Sequence, residues 1–406
     1  MIKVMVMVAY LSGGGAEHVA RNNLECLLSE KTIELAALTC DTKWENPCEI
    51  TKFLLKDYRN DNSKLKNYLG VLGLSENYRL TSSYLNEFQP DIIHIHDFTV
   101  FTPSTMKAIH QYKRKSQCRI IMTHHNYSCI CTNDALYNYK KSMVCSKCLG
   151  KNDISIVRYC CTGSYVTSVA KYLQKKIFRK YLVGLVDWNI SPSVFLKDQL
   201  IKAGIKNDVS VVYNPCIDMI YEENYNNKKN SIVFFGRTSR EKGILEFLKD
   251  YCLSECEVPF LIIGDGNVAN IIKEIIKDNP TRNITFINKF LYTDELYEYI
   301  KDAKYMVLPS VWYENSPVSI VEGINLSIIP IVNGIGGMKE LINLFNIGYL
   351  IDIKDRQSVI SFLNKIENND LVSEDSIERS RDILSKFTIE NYKRSILKIY
   401  SQVKKV

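Results

Sequence analysis

Short apolar runs rich in β-branched and aromatic residues alternate with helical patterns along most of this chain, and that alternation constrains its fold more than any other feature. Units of strand, helix and strand build a mainly parallel sheet covered by helices. In the first half the strand candidates are Lys3 to Ala9, Ile33 to Leu38, Asp91 to His96, Arg119 to Thr123 and Trp188 to Ser191. In the second half they are Val209 to Tyr213, Ser231 to Phe235, Phe260 to Gly264, Ile284 to Ile287, Tyr305 to Leu308 and Ile328 to Val332. The pattern restarts near residue 230, after the polar run EENYNNKKN, so two doubly wound α/β sheets in series are expected, joined near residues 192 to 230. The length of 406 residues agrees, being too great for one ordinary core. Parallel sheets of this kind leave their ligand-binding loops at the C-terminal ends of the strands.

Composition narrows the class. With 46% hydrophobic and 24% charged residues the chain is a globular protein rather than a disordered one. The apolar run at the N-terminus is short, strand-like and followed by a glycine turn rather than a cleavage site, and no uninterrupted apolar span of about twenty residues exists. A cytoplasmic protein without a transmembrane helix is expected. The net charge of +7 is compatible with anionic substrates or a membrane surface. Nucleic-acid binding is not expected, because the basic residues are not interleaved with a recognition module.

The stretch PSVWYENSPVSIVEG, residues 309 to 323, places Glu314 and Glu322 around a helix start. Ser316 is suited to the N-cap and Pro317 to the first helical position, so the N–H groups of Val318 and Ser319 would point out of the helix end, where phosphate binds well. Upstream, FFGRTSREKG supplies Gly236, Arg237 and Lys242 between a strand and a helix, and both cations could reach a diphosphate there, although any βα loop can carry solvated Arg and Lys. LIIGDGN, with Gly264, Asp265 and Gly266, reads as a further strand-to-helix turn, and NGIGGMKE, with Gly334, Gly336, Gly337 and Glu340, adds backbone flexibility and free amides close in sequence to the two-glutamate segment.

This ordered set, strand-Gly-Arg…Lys-Gly, Gly-Asp-Gly, Pro-Ser…Glu-x7-Glu, Gly-Gly-x-x-Glu, resembles the nucleotide-sugar domain of family 4 retaining glycosyltransferases. The resemblance implies a GT-B fold, two Rossmann-like domains facing an interdomain cleft. Residues 1–195 would form the acceptor-side domain and 196–385 the donor domain, with a C-terminal helix over 386–406 crossing back to the first. It further implies that Arg237 and Lys242 neutralise the leaving diphosphate, that Glu322 binds the ribose hydroxyls and that Glu314 orients the donor sugar, with Asn315, Ser316, Val318 and Ser319 lining the same site. No Asp-x-Asp motif is placed to hold a diphosphate cation, in keeping with metal-independent catalysis. Asn288 departs from the glycine that many relatives carry in the loop expected to receive the base.

On the acceptor side, LSGGGAEHVARN sets Gly13, Gly14 and Gly15 between a strand and a helix, with Glu17 in its first turn. Gly-Gly-Ala-Glu resembles the family's loop bordering the cleft, although a tight turn alone would explain it. DIIHIHD and IMTHHNY end two strands with His94, His96, Asp97, His124 and His125. Of these, His125 matches the histidine that the family places beside the donor sugar, and His96 and Asp97 are candidates for the acceptor pocket. The implied reaction transfers a sugar from a nucleotide-diphosphate donor to a lipid-linked saccharide in surface polysaccharide assembly. The alternatives are a GT-B enzyme with a small soluble acceptor and a non-catalytic nucleotide-sugar or zinc-binding module.

Six of the thirteen cysteines, Cys129, Cys131, Cys145, Cys148, Cys160 and Cys161, fall between residues 129 and 161. Cys145-Ser-Lys-Cys148 is a thiolate knuckle, with Cys131 and Cys160 placed to complete a tetrahedral structural zinc site, and the segment resembles an insertion of some polysaccharide-assembling glycosyltransferases. Buried or redox-active thiols are the other reading. The following segment joins Lys171, Lys175, Lys176, Arg179 and Lys180 to an apolar helical face, suited either to an anionic membrane at the cytoplasmic face of the inner membrane or to a core helix with solvated lysines.

Overall fold

The computed structural model describes residues 1–11, 15–45, 49–57, 76–96, 100–149, 165–205, 208–216, 218, 227–291, 293–367 and 380–405. The chain divides into two units. One comprises Met1–Lys141, Cys145–Pro215 and Ile389–Val406, and the other Ser142–Val144 and Cys216–Thr388.

In the first unit, strands β1 (Ile2–Met7), β2 (Ile33–Thr39), β3 (Thr51–Leu54), β4 (Ile92–Ile95) and β5 (Arg119–Thr123) precede the two-residue strands β6 (Tyr137–Asn138) and β7 (Met143–Val144), the latter assigned to the second unit. Then come β8 (Trp188–Ser191) and β9 (Val209–Val211). The sheet order is β3-β2-β1-β4-β5-β8-β9, and every pairing is parallel. The apolar run of β1 is continuous because the strand is buried on both faces. Met5 and Met7 enter a core shared with Leu85, Phe88, Met106, Ile109 and Phe178. Val4 and Val6 enter the opposite core, with Val19, Leu24, Leu27, Ile396 and Tyr400.

The helix Ile389–Lys405 therefore belongs to this first unit, against the helix Gly15–Leu28. Tyr392, Ile396, Ile399, Tyr400 and Val403 form its buried stripe at helical spacing. At its edges Lys393 pairs with Glu30 at 2.7 Å and Lys404 with Asp91 at 3.4 Å.

The first unit extends to Pro215 rather than ending at residue 195. Val209–Val211, expected to open the second sheet, instead closes the first, pairing with β8 through the helix Val194–Lys202. The strand-helix-strand rhythm does not itself mark which sheet a strand joins.

The second unit carries β10 (Lys229–Phe235), β11 (Phe260–Ile263), β12 (Ile284–Ile287), β13 (Ala303–Leu308), β14 (Ile329–Asn333) and β15 (Tyr349–Ile351) in the order β12-β11-β10-β13-β14-β15, again all parallel. β10 and β13 pair at the centre of the sheet, and the chain leaves them toward opposite edges, so the loops following them lie at the topological switch point, where ligands of such sheets bind. At the ends of β10 and β11 the backbone turns sharply through Gly236 and Gly264, both at positive φ. A Cβ on Gly264 would stand 1.8 Å from the carbonyl oxygen of Gly236, so only glycine allows these two loops to meet.

Candidate functional site

In the second unit four sequence segments converge. After β10, Arg237 leads to a 3-10 turn, Arg240–Lys242, and then to the helix Ile244–Leu253. After β13 the chain runs through Ser310, Trp312 and Glu314 in an extended loop before the helix Val318–Asn325. Lys242 Nζ donates to Glu314 Oε1 at 2.7 Å, joined by Ser310 Oγ at 2.8 Å and Trp312 Nε1 at 2.6 Å. The loop after β14 braces the other side: Gly337 N–H donates to the Glu314 carbonyl at 2.7 Å. A Cβ on Gly337 would lie 1.8 Å from the Asn315 carbonyl oxygen, which explains a glycine there. The Gly337 amide, read from the sequence as available to a ligand, is thus used to hold the glutamate loop.

Burial raises the Glu314 carboxyl, but the Lys242 charge and the hydrogen bonds from Lys242, Trp312 and Ser310 outweigh it and hold the group below its usual range. It is therefore a fixed anion. Glu322, on the second turn of the following helix, has no such compensation, and burial pushes it up to about 7. Arg237 reaches Glu241 Oε1 at 2.8 Å while its side chain stays 58% exposed, so it is oriented yet accessible. Asp265 accepts the Gly266 N–H at 2.7 Å through Oδ1 and the Thr238 N–H at 3.0 Å through its carbonyl, tying the loop after β11 to the one after β10.

The helix start differs from the expectation. It begins at Val318 with Pro317 as the N-cap, one residue later than the sequence suggests, and no side chain caps it, since proline offers no acceptor. Val318 and Ser319 remain in the first turn, where backbone N–H groups have no intrahelical partner.

In the first unit the histidines gather at the ends of β4 and β5. Asn23 Nδ2, from the helix Gly15–Leu28, lies 3.0 Å from His96 Nε2 and 3.3 Å from His94 Nδ1. His96 Nδ1 lies 3.0 Å from His125 Nε2, and the two rings stack. His94 also meets Tyr400 at 2.8 Å and Thr123 at 2.8 Å. Burial pushes His94 and His125 down to about 3 and His96 well below the usual imidazole range, with the neighbouring histidines adding to the effect, so all three are neutral near pH 7. His124 turns inward to Asn189 at 2.9 Å and is held at about 4 by burial. Gly15 opens the first helix and is exposed. Gly14 and Asp97 lie outside the described residues.

Two family models cover these units. Residues 13–217 match the model described as Glycosyltransferase Family 4, and residues 219–383 match Glycosyl transferases group 1. The chain belongs to glycosyltransferase family 4.

Among proteins similar to this family 4 member is an uncharacterized 42.6 kDa protein in the cps region of Klebsiella pneumoniae, 25% identical over 70% of this chain and 69% of that protein. An Escherichia coli UDP-Gal:alpha-D-GlcNAc-diphosphoundecaprenol alpha-1,3-galactosyltransferase is 27% identical over 40% of this chain and 43% of its own length. The solved Anabaena HepE, in complex with UDP and glucose, superposes with a TM-score of 0.66 at 12% identity over 99% of this chain and 100% of that one. The fold is GT-B, with two Rossmann-like domains.

Within the cysteine-rich segment of this family 4 chain, Cys131 and Cys148 are both buried and hydrogen-bonded to each other, and that bond, with burial, keeps the Cys148 thiol protonated. Cys145 does not join them: among the described residues no group of three or more His, Cys, Asp or Glu side chains is arranged to hold a metal ion. Cys160 and Cys161 lie outside the described residues. The described residues thus place two of the four expected thiolates, Cys131 and Cys148, side by side.

The basic segment forms the helix Tyr165–Leu185, which buries Tyr172, Phe178, Leu182 and Leu185. Two of its cations are committed internally, Lys175 to Asp134 and to the Ser128 carbonyl, and Arg179 to the Ala203 carbonyl. Lys176, Lys180 and Leu173 face solvent. No helix among the described residues is long and apolar enough to cross a membrane.

The sequence reading missed Ser310 and Trp312, although their places four and two residues before Glu314 are visible in PSVWYENSP. It also missed Asn23 and Tyr400, for which no local signal exists.

Proposed function

We propose that this chain is a retaining glycosyltransferase, independent of metal for catalysis, that moves a hexose from a nucleoside-diphosphate donor to a lipid-linked saccharide. The product would enter capsule or O-antigen assembly at the cytoplasmic face of the inner membrane. The observation that carries the reading is the Lys242–Glu314–Trp312–Ser310 cluster beside Arg237 at the sheet's switch point. All three bonds to Glu314 end on Oε1, which orients Oε2 for sugar hydroxyls. Arg237 and Lys242 bring positive charge to the leaving diphosphate as its bond to the anomeric carbon breaks, where fixed charge lowers the barrier most. The amides of Val318 and Ser319 add the helix-end contribution. Glu322 accepts hydrogen bonds from the ribose.

The acceptor hydroxyl attacks from the face the diphosphate leaves. Its proton passes to the departing phosphate oxygen while the new C–O bond forms, so the protein supplies position and charge rather than a nucleophile. The UDP-linked and diphosphoundecaprenol-linked substrates named for the E. coli relative, together with the UDP and glucose of the HepE complex, support a UDP-sugar and a lipid acceptor. Solvent-facing Leu173, Lys176 and Lys180 suit an anionic bilayer surface.

A panel of nucleotide sugars screened for protection against thermal unfolding tests the donor reading. At about 100 times its Kd a true donor stabilises by roughly 2.7 kcal/mol. If no nucleotide or nucleotide sugar raises Tm, the reading fails.

A further inference from the structure

We infer that Trp312 is a positioning residue for sugar transfer: its indole N–H fixes the carboxylate of Glu314 and holds it in place while Lys242 serves the diphosphate. The inference rests on the proposed reading that Lys242 and Glu314 belong to the donor site.

Three donors end on Oε1 of Glu314, and they are not equivalent. Trp312 Nε1 lies 2.6 Å away, Lys242 Nζ 2.7 Å and Ser310 Oγ 2.8 Å. The ammonium rides on a flexible four-carbon stem, and the serine hydroxyl donates or accepts as it turns. An indole N–H only donates, and it lies in a rigid plane set by two side-chain torsions. Trp312 therefore defines where Oε1 stands, and the other two donors adjust to it.

The backbone fixes that indole from both sides. Val311 N–H donates to the Glu241 carbonyl at 3.0 Å, Asn333 Nδ2 to the Ser310 carbonyl at 2.9 Å and Gly337 N–H to the Glu314 carbonyl at 2.7 Å. A Cβ on Gly243 would stand 2.1 Å from the Pro309 carbonyl oxygen, so the turn that carries Lys242 is pressed against the start of the same loop. All of these residues lie in the second unit. Burial alone does not account for a tryptophan here. Trp312 is only partly buried, yet its one polar atom is committed to a buried carboxylate rather than to water.

A bound diphosphate competes with Glu314 for the Lys242 ammonium, whose Nζ also stands over the indole ring, 5.9 Å from its centre. Lys242 is the charged group that faces Glu314, since Arg237 of the same segment is paired with Glu241 at 2.8 Å. As Lys242 is drawn toward phosphate, the neutral donors Trp312 and Ser310 keep the carboxylate ionised and its second oxygen directed.

Indole nitrogen-15 spectra of the whole protein, which has three tryptophans, read this contact without a sugar donor. The Trp312 signal is the one lost in Trp312→Phe, or, should that variant not fold, the one retained in both Trp44→Phe and Trp188→Phe. Its N–H proton should resonate downfield and move upfield in Glu314→Ala. It should keep its place in Lys242→Met and in wild type saturated with UDP. A signal that Glu314→Ala leaves unmoved, or that Lys242→Met or UDP moves as far as Glu314→Ala does, overturns the inference.

Turnover, read as UDP release from UDP-galactose or UDP-glucose, supplies the second arm. Trp312→Phe should lower kcat by about tenfold with KM for the donor unchanged, and Trp312→Leu should lower it further. Removing a donor from the ionised carboxyl raises its pKa, so the acid limb of kcat should move to higher pH in Trp312→Phe. A tryptophan that only supports the fold would lower the amount of active enzyme and leave that limb where it is. If Glu314→Ala turns over like the wild type, the site reading itself fails. If Glu314→Ala is slow and Trp312→Phe matches the wild type in rate and acid limb, the site reading stands and this inference alone is wrong.

Discussion

Lys242 and Glu314 meet at 2.7 Å across two loops of one sheet, with side-chain exposures of only 18% and 11%. A pair this secluded costs desolvation on both sides, and removing one member leaves the other charge uncompensated. Lys242→Met should therefore lower stability by about 3 kcal/mol, and adding Glu314→Gln should restore most of it. Activity should stay lost in both variants. Denaturant unfolding of the two single variants and the double variant measures the coupling. A double variant no more stable than Lys242→Met would show that the pair is not an energetic unit.

Glu322 should couple donor binding to pH. Burial raises its folded pKa to about 7, against a usual 4.5. Between those values the unfolded chain has released the proton and the folded chain retains it, so this group stabilises the fold below about pH 4.5 and that contribution is lost as pH rises through about 7. Ribose hydroxyls donate best to the ionised form, so nucleotide affinity should rise from pH 6 to 8, a range chosen to straddle the shifted pKa. Calorimetry in buffers of different ionisation enthalpy should detect proton release on binding, and Glu322→Gln should abolish it.

The histidine cluster should act with the opposite sign on the first unit. His94, His125 and His124 are depressed to about 3, 3 and 4 by burial from a usual 6.5. Their contribution is fully present above about pH 6.5 and is lost as pH falls through the folded values, because the unfolded chain takes up protons first. Stability measured between pH 7 and 4.5 should fall with acid. His94→Gln should flatten part of that slope if it folds, and His124→Gln provides an independent check.

The fold was legible because periodicity survives context. Arg119–Thr123, Trp188–Ser191 and Ile284–Ile287 appear as expected to the residue. The short edge strands Thr51–Leu54 and Tyr349–Ile351 carry too few residues to show a period, and the sequence gives no sign of them. The loop residues that meet in the second unit were legible because Gly, Arg, Lys and Glu are concentrated at its strand ends in chain order. The partners of His125 were not, since Asn23 and Tyr400 approach through tertiary packing over sequence separations that no local pattern encodes. Gly337 was misjudged for a related reason: a glycine amide in a loop looks available until the neighbouring loop is placed against it.

Zinc is testable apart from activity. Cys131 and Cys148 lie together, and a tetrahedral thiolate site would need Cys145 and Cys160 as well. Purified protein should then contain about one zinc per chain, and Cys148→Ser should remove it and lower Tm. Fully folded, metal-free protein would reduce the cluster to buried thiols.

The central claim is that charge fixed by Arg237, Lys242 and Glu314 drives departure of a nucleoside diphosphate. Release of nucleoside diphosphate from a saturating sugar donor, compared among wild type, Arg237→Ala and Glu314→Ala, tests it most directly. Turnover in the wild type with losses of about 10² to 10³-fold in each variant is the expected result. Equal rates in all three proteins would contradict the account.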